Sequence, residues 1–280
     1  MNASVVSGRL YVVSTPIGNL GDFSFRAIEV LRGVGLILAE DTRHSRTLLE
    51  RYEIETPVAS YHEHNEAKMT PRLIERLLAG ESLALISDAG TPLLSDPGAR
   101  LVAAAIKAGI LVTPIPGASA LLAALVASGM SAEQFTFYGF LPRKGRERSA
   151  ILAELVSLRH TAVVYEAPTR LAETLAELDA LGAGERLVAV AREMTKQYEE
   201  VRRGTVSTLR AYYSDAPARG EVVIVLAGGA ERSVSELDVR ARARALVSEG
   251  RTARDVVAQL VAELGVPRNR AYAIVEEERS

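Results

Sequence analysis

Short apolar runs, each closed by glycine, proline or acid and followed by a stretch of helical apolar spacing, recur along the first half of this chain and restrict its fold most. Arg9 to Thr15 (RLYVVST) is one such run, ended by Pro16, Gly18 and a Gly21-Asp22 turn before the helix-spaced Ser24 to Leu31. Gly35 to Ala39 precedes the helix-like Ser45 to Tyr52, and a helix over Pro71 to Ala79 leads into the run Ser82 to Ile86. Helix Ala99 to Ala108 then returns through Ile110 to Pro114 to a further helix, Ala120 to Ala127. This α/β alternation predicts a largely parallel sheet with helices on its faces, and a ligand site at the carboxyl ends of the strands.

The pattern changes after Gly129. Phe135 to Phe140 (FTFYGF) holds three of the five phenylalanines, and the charged PRKGRER interrupts the apolar pattern. Ala162 to Tyr165, Leu187 to Ala191 and Glu221 to Ala227 read as strands, with Arg170 to Leu178 as an intervening helix. A chain of 280 residues favours more than one core. The expected division is an α/β domain over 1–119, a second over 120–232, and a helical extension over 233–280. In the extension, Ser235 with Asp238 and Thr252 with Asp255 are N-cap pairs. Val256, Val257, Leu260, Val261 and Leu264 form an apolar stripe stopped by Gly265 and Pro267, and a third helix carries Tyr272 and Ile274. Its eight arginines match eight acidic residues, so packing and RNA contact are both open roles for it.

Composition removes several classes of chemistry. With no cysteine, disulfides, thiolate-bound zinc, iron–sulfur clusters and thiol catalysis are excluded. The start, MNASVVSGRLYVVST, lacks the basic and continuous apolar regions of a secretory signal, and no run approaches the ~18 apolar residues of a membrane helix, so a cytoplasmic protein is expected. A net charge of -2 means that any nucleic-acid partner must meet a local basic surface.

The P-loop GxxxxGK[ST], the dinucleotide-binding GxGxxG and the hydrolase GxSxG are all absent. Four histidines, His44, His62, His64 and His160, lack the spacing of a metal site, and none is expected. What remains are Gly/Pro loops after strands: Pro16-Ile17-Gly18-Asn19, Asp88-Ala89-Gly90-Thr91-Pro92, Asp96-Pro97-Gly98 and Pro116-Gly117-Ala118-Ser119-Ala120. Glycine permits close backbone approach to a flat or extended ligand, and proline stiffens that approach. These loops are either a shared cofactor cleft or ordinary turns in which Asp88 and Asp96 cap helices.

Three charged clusters also follow strands: Glu40, Asp41 and Arg43; Tyr165, Glu166 and Arg170; and Arg192, Glu193 and Lys196. They read either as a convergent site or as a salt-bridged seam. Arg143 to Arg148 (RKGRER), next to the aromatic strand, is either a phosphate-contacting loop that a nearby exposed ring assists by stacking, or a solvated turn.

Taken in order, VSTPIGNLGDFSFRAIEVL, AEDTRHSRTLL, YHEHNE, LISDAGTPLLSDPG, PIPGASALLAAL, FYGFLPRKGRER, YEAPTR, REMTKQYEE and GEVVIVLAG resemble the ribosomal RNA small-subunit methyltransferase I family of the tetrapyrrole methylase superfamily. The resemblance spans Arg9 to Gly228. It implies two α/β domains with S-adenosylmethionine (SAM) between them, usually in a homodimer, and methylation of a cytidine ribose 2'-oxygen in the decoding centre of 16S rRNA within an assembled or nearly assembled small subunit. Carried onto this sequence, the loop with Pro16 and Gly18 faces the cleft. Asp88, Ala89, Gly90, Thr91 and Pro92, together with Gly117, Ala118, Ser119 and Ala120, line the cofactor. Tyr165 to Arg170 and Arg192 to Lys196 contribute from the second domain, and Arg143 to Arg148 faces RNA. The chain departs from many relatives at YEAPTR, where Ala167 and Thr169 stand in place of a serine and a histidine, so a histidine base does not carry over.

Methyl transfer to a hydroxyl needs in-line positioning, an acceptor for the proton and a cation for the developing oxyanion. Glu193 or Asp88, and less so Glu166, are the expected carboxylates, with Lys196 or Arg170 as the cation. Tetrapyrrole methylation and a noncatalytic ribosome-assembly role are the alternatives. The first would favour a closed apolar bowl, and the second would bind RNA without SAM.

Overall fold

In a computed structural model the structure is described for residues 8–229 and 236–278, and Ser235 and the first seven residues lie outside that description. The chain forms two compact units, Met1–Gly229 and Ala230–Ser280.

In the first unit, β1 (Arg9–Val13), β2 (Leu36–Ala39), β3 (Val58–Ser60), β4 (Leu83–Ile86) and β5 (Leu111–Ile115) pair in the order β3-β2-β4-β1-β5, all parallel. Buried on both faces, β2 and β4 are continuous apolar runs (LILA, LALI), as parallel strands between helical layers must be. Helices α1 (Phe25–Gly33) and α2 (Thr42–Arg51) cover one face through Ala27, Leu31, Leu48 and Leu49. The other face is covered by α3 (Glu66–Leu78) and α4 (Ala99–Lys107) through Leu73, Leu77, Leu101 and Ala105. The chain leaves β1 toward β2 on one side and leaves β4 toward β5 on the other. The carboxyl ends of these two neighbouring strands therefore form a topological switch point, where a crevice opens.

Local chemistry sets several boundaries. Ser24 caps α1 by accepting the Ala27 amide at 3.1 Å, and Asp41 caps α2 by accepting that of Arg43 at 2.8 Å. Helix α3 begins at Glu66, five residues ahead of the proline that the sequence suggests as its start, and carries Pro71 inside it.

The second sheet is mixed, which the reading of a second α/β domain leaves open. It contains β6 (Phe135–Phe140), β7 (Thr161–Glu166), β8 (Leu187–Arg192), β9 (Glu200–Thr205) and β10 (Val222–Leu226), in the order β6-β7-β10-β8-β9. Only β6 and β7 run parallel; β7, β10, β8 and β9 are antiparallel in turn. Helix α5 (Ala120–Ser128), capped by Ser119 and closed by Gly129 at φ 77, packs on the face carrying Val163, Ala189 and Val223. The opposite face carries Val164, Val188 and Ile224 beneath α6 (Arg146–Ser157), α7 (Leu171–Leu178) and α8 (Val206–Asp215).

The second unit consists of α9 (Glu236–Ser248), α10 (Ala253–Leu264) and α11 (Arg268–Glu277) around Leu246, Val257, Leu260 and Ile274. Thr252 caps α10, and Gly265 ends it at φ 64. Arg240, Arg242 and Arg244 pair with glutamates of the same unit. No helix among the described residues is long and apolar enough to cross a membrane.

Leu10 sits fully buried in the first sheet, whereas Val126 is 76% exposed. Leu10→Ala should cost about 2–5 kcal/mol in chemical denaturation, and Val126→Ala should stay within about 0.5 kcal/mol of the unaltered protein.

Candidate active site

The two loops of the switch point are bonded to each other. Thr15 N donates to Gly90 O at 2.8 Å and Gly90 N donates back to Thr15 O at 3.1 Å, while the Thr15 hydroxyl reaches Ser87 O at 3.1 Å. Gly90 adopts φ 85, and a Cβ there would press on Ile17 at 3.2 Å. The Thr91 hydroxyl bonds Ala118 O at 3.3 Å and lies 3.0 Å from that of Ser14, drawing in the loop ahead of α5. Gly117 passes so close to β1 that a Cβ would stand 2.9 Å from that of Ser14.

These loops form one wall of a cleft of about 360 Å³, and the carboxyl end of β7 with the start of β10 forms the other. Asp88, Ala89, Gly90, Thr91, Ser119, Ala120, Tyr165 and Glu166 line it, as the sequence suggests. Pro16 and Gly18 instead line a neighbouring groove of about 750 Å³ together with Arg43 and His44, and Asp88 borders both spaces. Pro92, Gly117 and Ala118 are not among the cleft's lining residues. Phe140, Val222 and Val223 line it without having been singled out by the sequence, and Asp96, from a loop read as either cleft or turn, lines it too.

Among the described residues no lysine or arginine lines the cleft, but Glu40, Asp88 and Asp96 do. Burial, reinforced by the charges of Glu40 and Asp88, pushes the Asp96 carboxyl up to about 7. Glu40 is raised in the same direction, first by burial and then by Asp88. Asp88 is oriented by the Asp41 amide, which donates to its Oδ1 at 3.0 Å.

Several residues expected to do chemistry are occupied elsewhere. Glu166 is fully buried between two arginines: Arg170 pairs with it, Arg148 lies 3.4 Å away, and the Thr174 hydroxyl donates to it at 2.7 Å. Arg170 spends its remaining donors on Leu141 O and Pro142 O, at 3.2 and 3.3 Å. This corrects both expectations: neither the Glu166 carboxylate nor the Arg170 guanidinium is free to act on a substrate. The notion of a basic loop ending at Arg148 is corrected too. Gly145 precedes α6, and Arg148 is buried against Glu166 and Glu177, leaving Arg143, Lys144 and Arg146 exposed.

Glu193, the favoured carboxylate, does not line the cleft. Its Oε1 accepts the Glu221 amide at 2.9 Å and Lys196 Nζ at 3.1 Å, and these bonds, the amide's first, hold its carboxyl below the usual range. Lys196 is bound to Glu193 and also to Glu221 at 3.2 Å. Glu193 and Thr195 have φ of 51 and 68, a strained backbone held against the first sheet, where the Asn19 amide donates to Thr195 Oγ1 at 3.1 Å. A Cβ on Gly18 would overlap Lys196 Cγ at 2.3 Å, so the Pro16–Asn19 loop fits this seam only with glycine at that position.

Among the described residues no group of three His, Asp or Glu is placed to hold a metal ion. The cleft does fit SAM. Its volume is within the small-ligand range, Val222, Val223 and Tyr165 offer apolar and aromatic surface for an adenosine, and its unpaired acids suit a sulfonium and an ammonium group.

Residues 9–210 match the tetrapyrrole (corrin/porphyrin) methylase family. A ribosomal RNA small subunit methyltransferase I from Synechocystis sp. is 46% identical over 270 residues, covering 95% of this chain and 97% of that protein. The chain belongs to the ribosomal RNA small subunit methyltransferase I family. Its Xylella fastidiosa member is 47% identical over 268 residues, covering 95% and 98%. Among solved structures, a uroporphyrin-III C-methyltransferase from Thermus thermophilus, complexed with S-adenosylhomocysteine, superposes with a TM-score of 0.56 at 18% identity, over 79% of this chain and 97% of that one. That likeness gives the fold of the family members' methylase region.

Two measurements check the site's electrostatics. Asp96 ionises with an ordinary carboxyl value of 3.8 when unfolded and about 7 when folded, so the stability it contributes is full below about 4 and declines up to about 7. The melting temperature of Asp96→Asn should therefore gain on the unaltered protein across that interval and stay parallel above it. Glu166→Gln takes the carboxylate partner from Arg170 and one of two from buried Arg148, and should cost about 3–5 kcal/mol in denaturant unfolding.

Proposed function

We propose that this chain is a SAM-dependent methyltransferase of 16S ribosomal RNA that places a methyl group on the 2'-oxygen of a cytidine ribose, with the small ribosomal subunit as its substrate. The observation that carries the reading is the cleft itself: one wall from each sheet and five acidic residues, with no lysine or arginine among its described lining residues, in a chain 46% identical to a ribosomal RNA small subunit methyltransferase I. Exposed Arg143, Lys144 and Arg146 follow directly on the cleft-lining Phe140, which favours a polyanionic acceptor over a small macrocycle. A cytoplasmic homodimer is the setting this reading implies.

SAM supplies an electrophilic methyl on a cationic sulfur. The residues of the chain do the rest by holding and orienting. Glu40, Asp88 and Asp96 favour the charged donor over its neutral product, which helps exchange after transfer; a bound cation opposes the burial that raises Glu40 and Asp96 and draws them toward the ionised form. Asp88 is the carboxylate best placed to take the hydroxyl proton, because it borders both the cleft and the groove beside it and is oriented by a backbone amide. Thr195, in the turn closed by the Glu193–Lys196 pair, holds the Asn19 loop.

Isotopically labelled SAM with purified small subunits lacking the modification should give label on a cytidine ribose, mapped by mass spectrometry; label on a base or a free tetrapyrrole would reject the assignment. In single turnover at saturating SAM, Asp88→Asn should slow transfer by about 10²- to 10⁴-fold. Glu193→Gln should leave that step nearly unchanged, and the reverse ranking would exchange the two roles.

A further inference from the structure

Phe140 is out of keeping with its surroundings. It lines the cleft, yet it is 59% exposed, whereas its cleft neighbours Val222 and Val223 are buried and Tyr165 is half-buried. The ring is not loosely held. Tyr165 meets it edge-on, with centroids 5.4 Å apart and planes at 62°, and Phe137 backs Tyr165 at 4.9 Å.

The backbone just beyond it is pinned as well. Leu141 O and Pro142 O are both held by Arg170, and Pro142 O is held also by Arg148 at 3.1 Å. Both guanidiniums are anchored on buried Glu166. Arg143 and Lys144, the next two residues, are exposed. A rigid aromatic face inside a cofactor cleft, followed three and four residues on by exposed cations, has the chemistry that receives a nucleotide taken out of its stack.

We propose that Phe140 is the platform on which the target nucleobase stacks, with Arg143 and Lys144 holding the flanking phosphates, an inference that rests on the rRNA-methylation reading above. Stacking on Phe140 offsets part of the cost of unstacking the nucleotide and fixes the plane of its base, so that the ribose is presented to the cofactor in one orientation. Glu166, Arg148 and Arg170 are then positioning residues. They touch no reacting atom but hold Leu141 and Pro142, the link between platform and phosphate contacts.

The test uses the full chain, SAM, and small subunits lacking the modification. Phe140→Ala should raise the KM for subunits by about 5- to 150-fold, the range expected for loss of one base–aromatic stack, while SAM affinity in calorimetry is unchanged. Phe140→Tyr should retain the normal KM, and Phe140→Leu, which keeps bulk but no π face, should behave as the alanine variant does. Phe140→Trp introduces the chain's sole tryptophan, whose fluorescence should be quenched when subunits are added in the presence of S-adenosylhomocysteine. An unchanged subunit KM in Phe140→Ala, or a loss confined to SAM affinity, would overturn the platform while leaving the methylation reading intact. Absence of transfer by the unaltered protein would instead overturn that reading, and the platform with it.

Discussion

The reciprocal bond between Thr15 and Gly90 is the contact on which the site depends. It closes the loops after β1 and β4 onto each other at the point where the chain departs to opposite sides of the sheet. Backbone groups bonded in this way stand still, and side chains hung on them need little reorganisation when a ligand arrives. Gly90 makes the bond possible because its φ of 85 would strain any other residue, and because the wall has no space for a side chain there. Thr91 passes the same constraint to Ala118, so three loops from distant parts of the sequence behave as one surface.

The second wall is held by a different force. Glu166, Arg148, Arg170, Glu177 and Thr174 form a buried network whose charges are matched and whose spare donors end on carbonyls of the β6–α6 connection. A buried ion pair contributes little net stability compared with apolar packing, yet removing one partner is costly. Its value here is geometric. It fixes the edge of the cleft relative to an exposed basic segment, which hydrophobic packing alone would do less specifically.

Much of this was legible in the sequence, for identifiable reasons. The strands buried on both faces announced themselves as apolar runs, and the cleft loops did so through Asp88 to Pro92 and Pro116 to Ala120, where glycine and proline punctuate the pattern. Elements without such a signal were missed. Strand β9, EVRRGT, is an edge strand with polar residues on its accessible side, and α6 begins with RERS, whose charges hide the buried Arg148. The direction of the strands in the second sheet depends on the connections between them, which apolar periodicity does not encode. At the site, sequence order placed Glu166, Arg170 and Glu193 at strand ends but could not say which carboxylates would be spent on neighbouring cations. It gives no sign of the place of Phe140, or of which reading holds for Asp96, because both depend on how the two sheets meet at the cleft.

A donor gripped from both sheets at once is the central proposal. Hydrogen exchange with and without saturating SAM measures this most directly, by following residues 88–96 of the first wall and 166–170 of the second. Slowed exchange in both segments, with the same dependence on SAM concentration, is the predicted result. Slowing confined to one segment, or to neither, would contradict it.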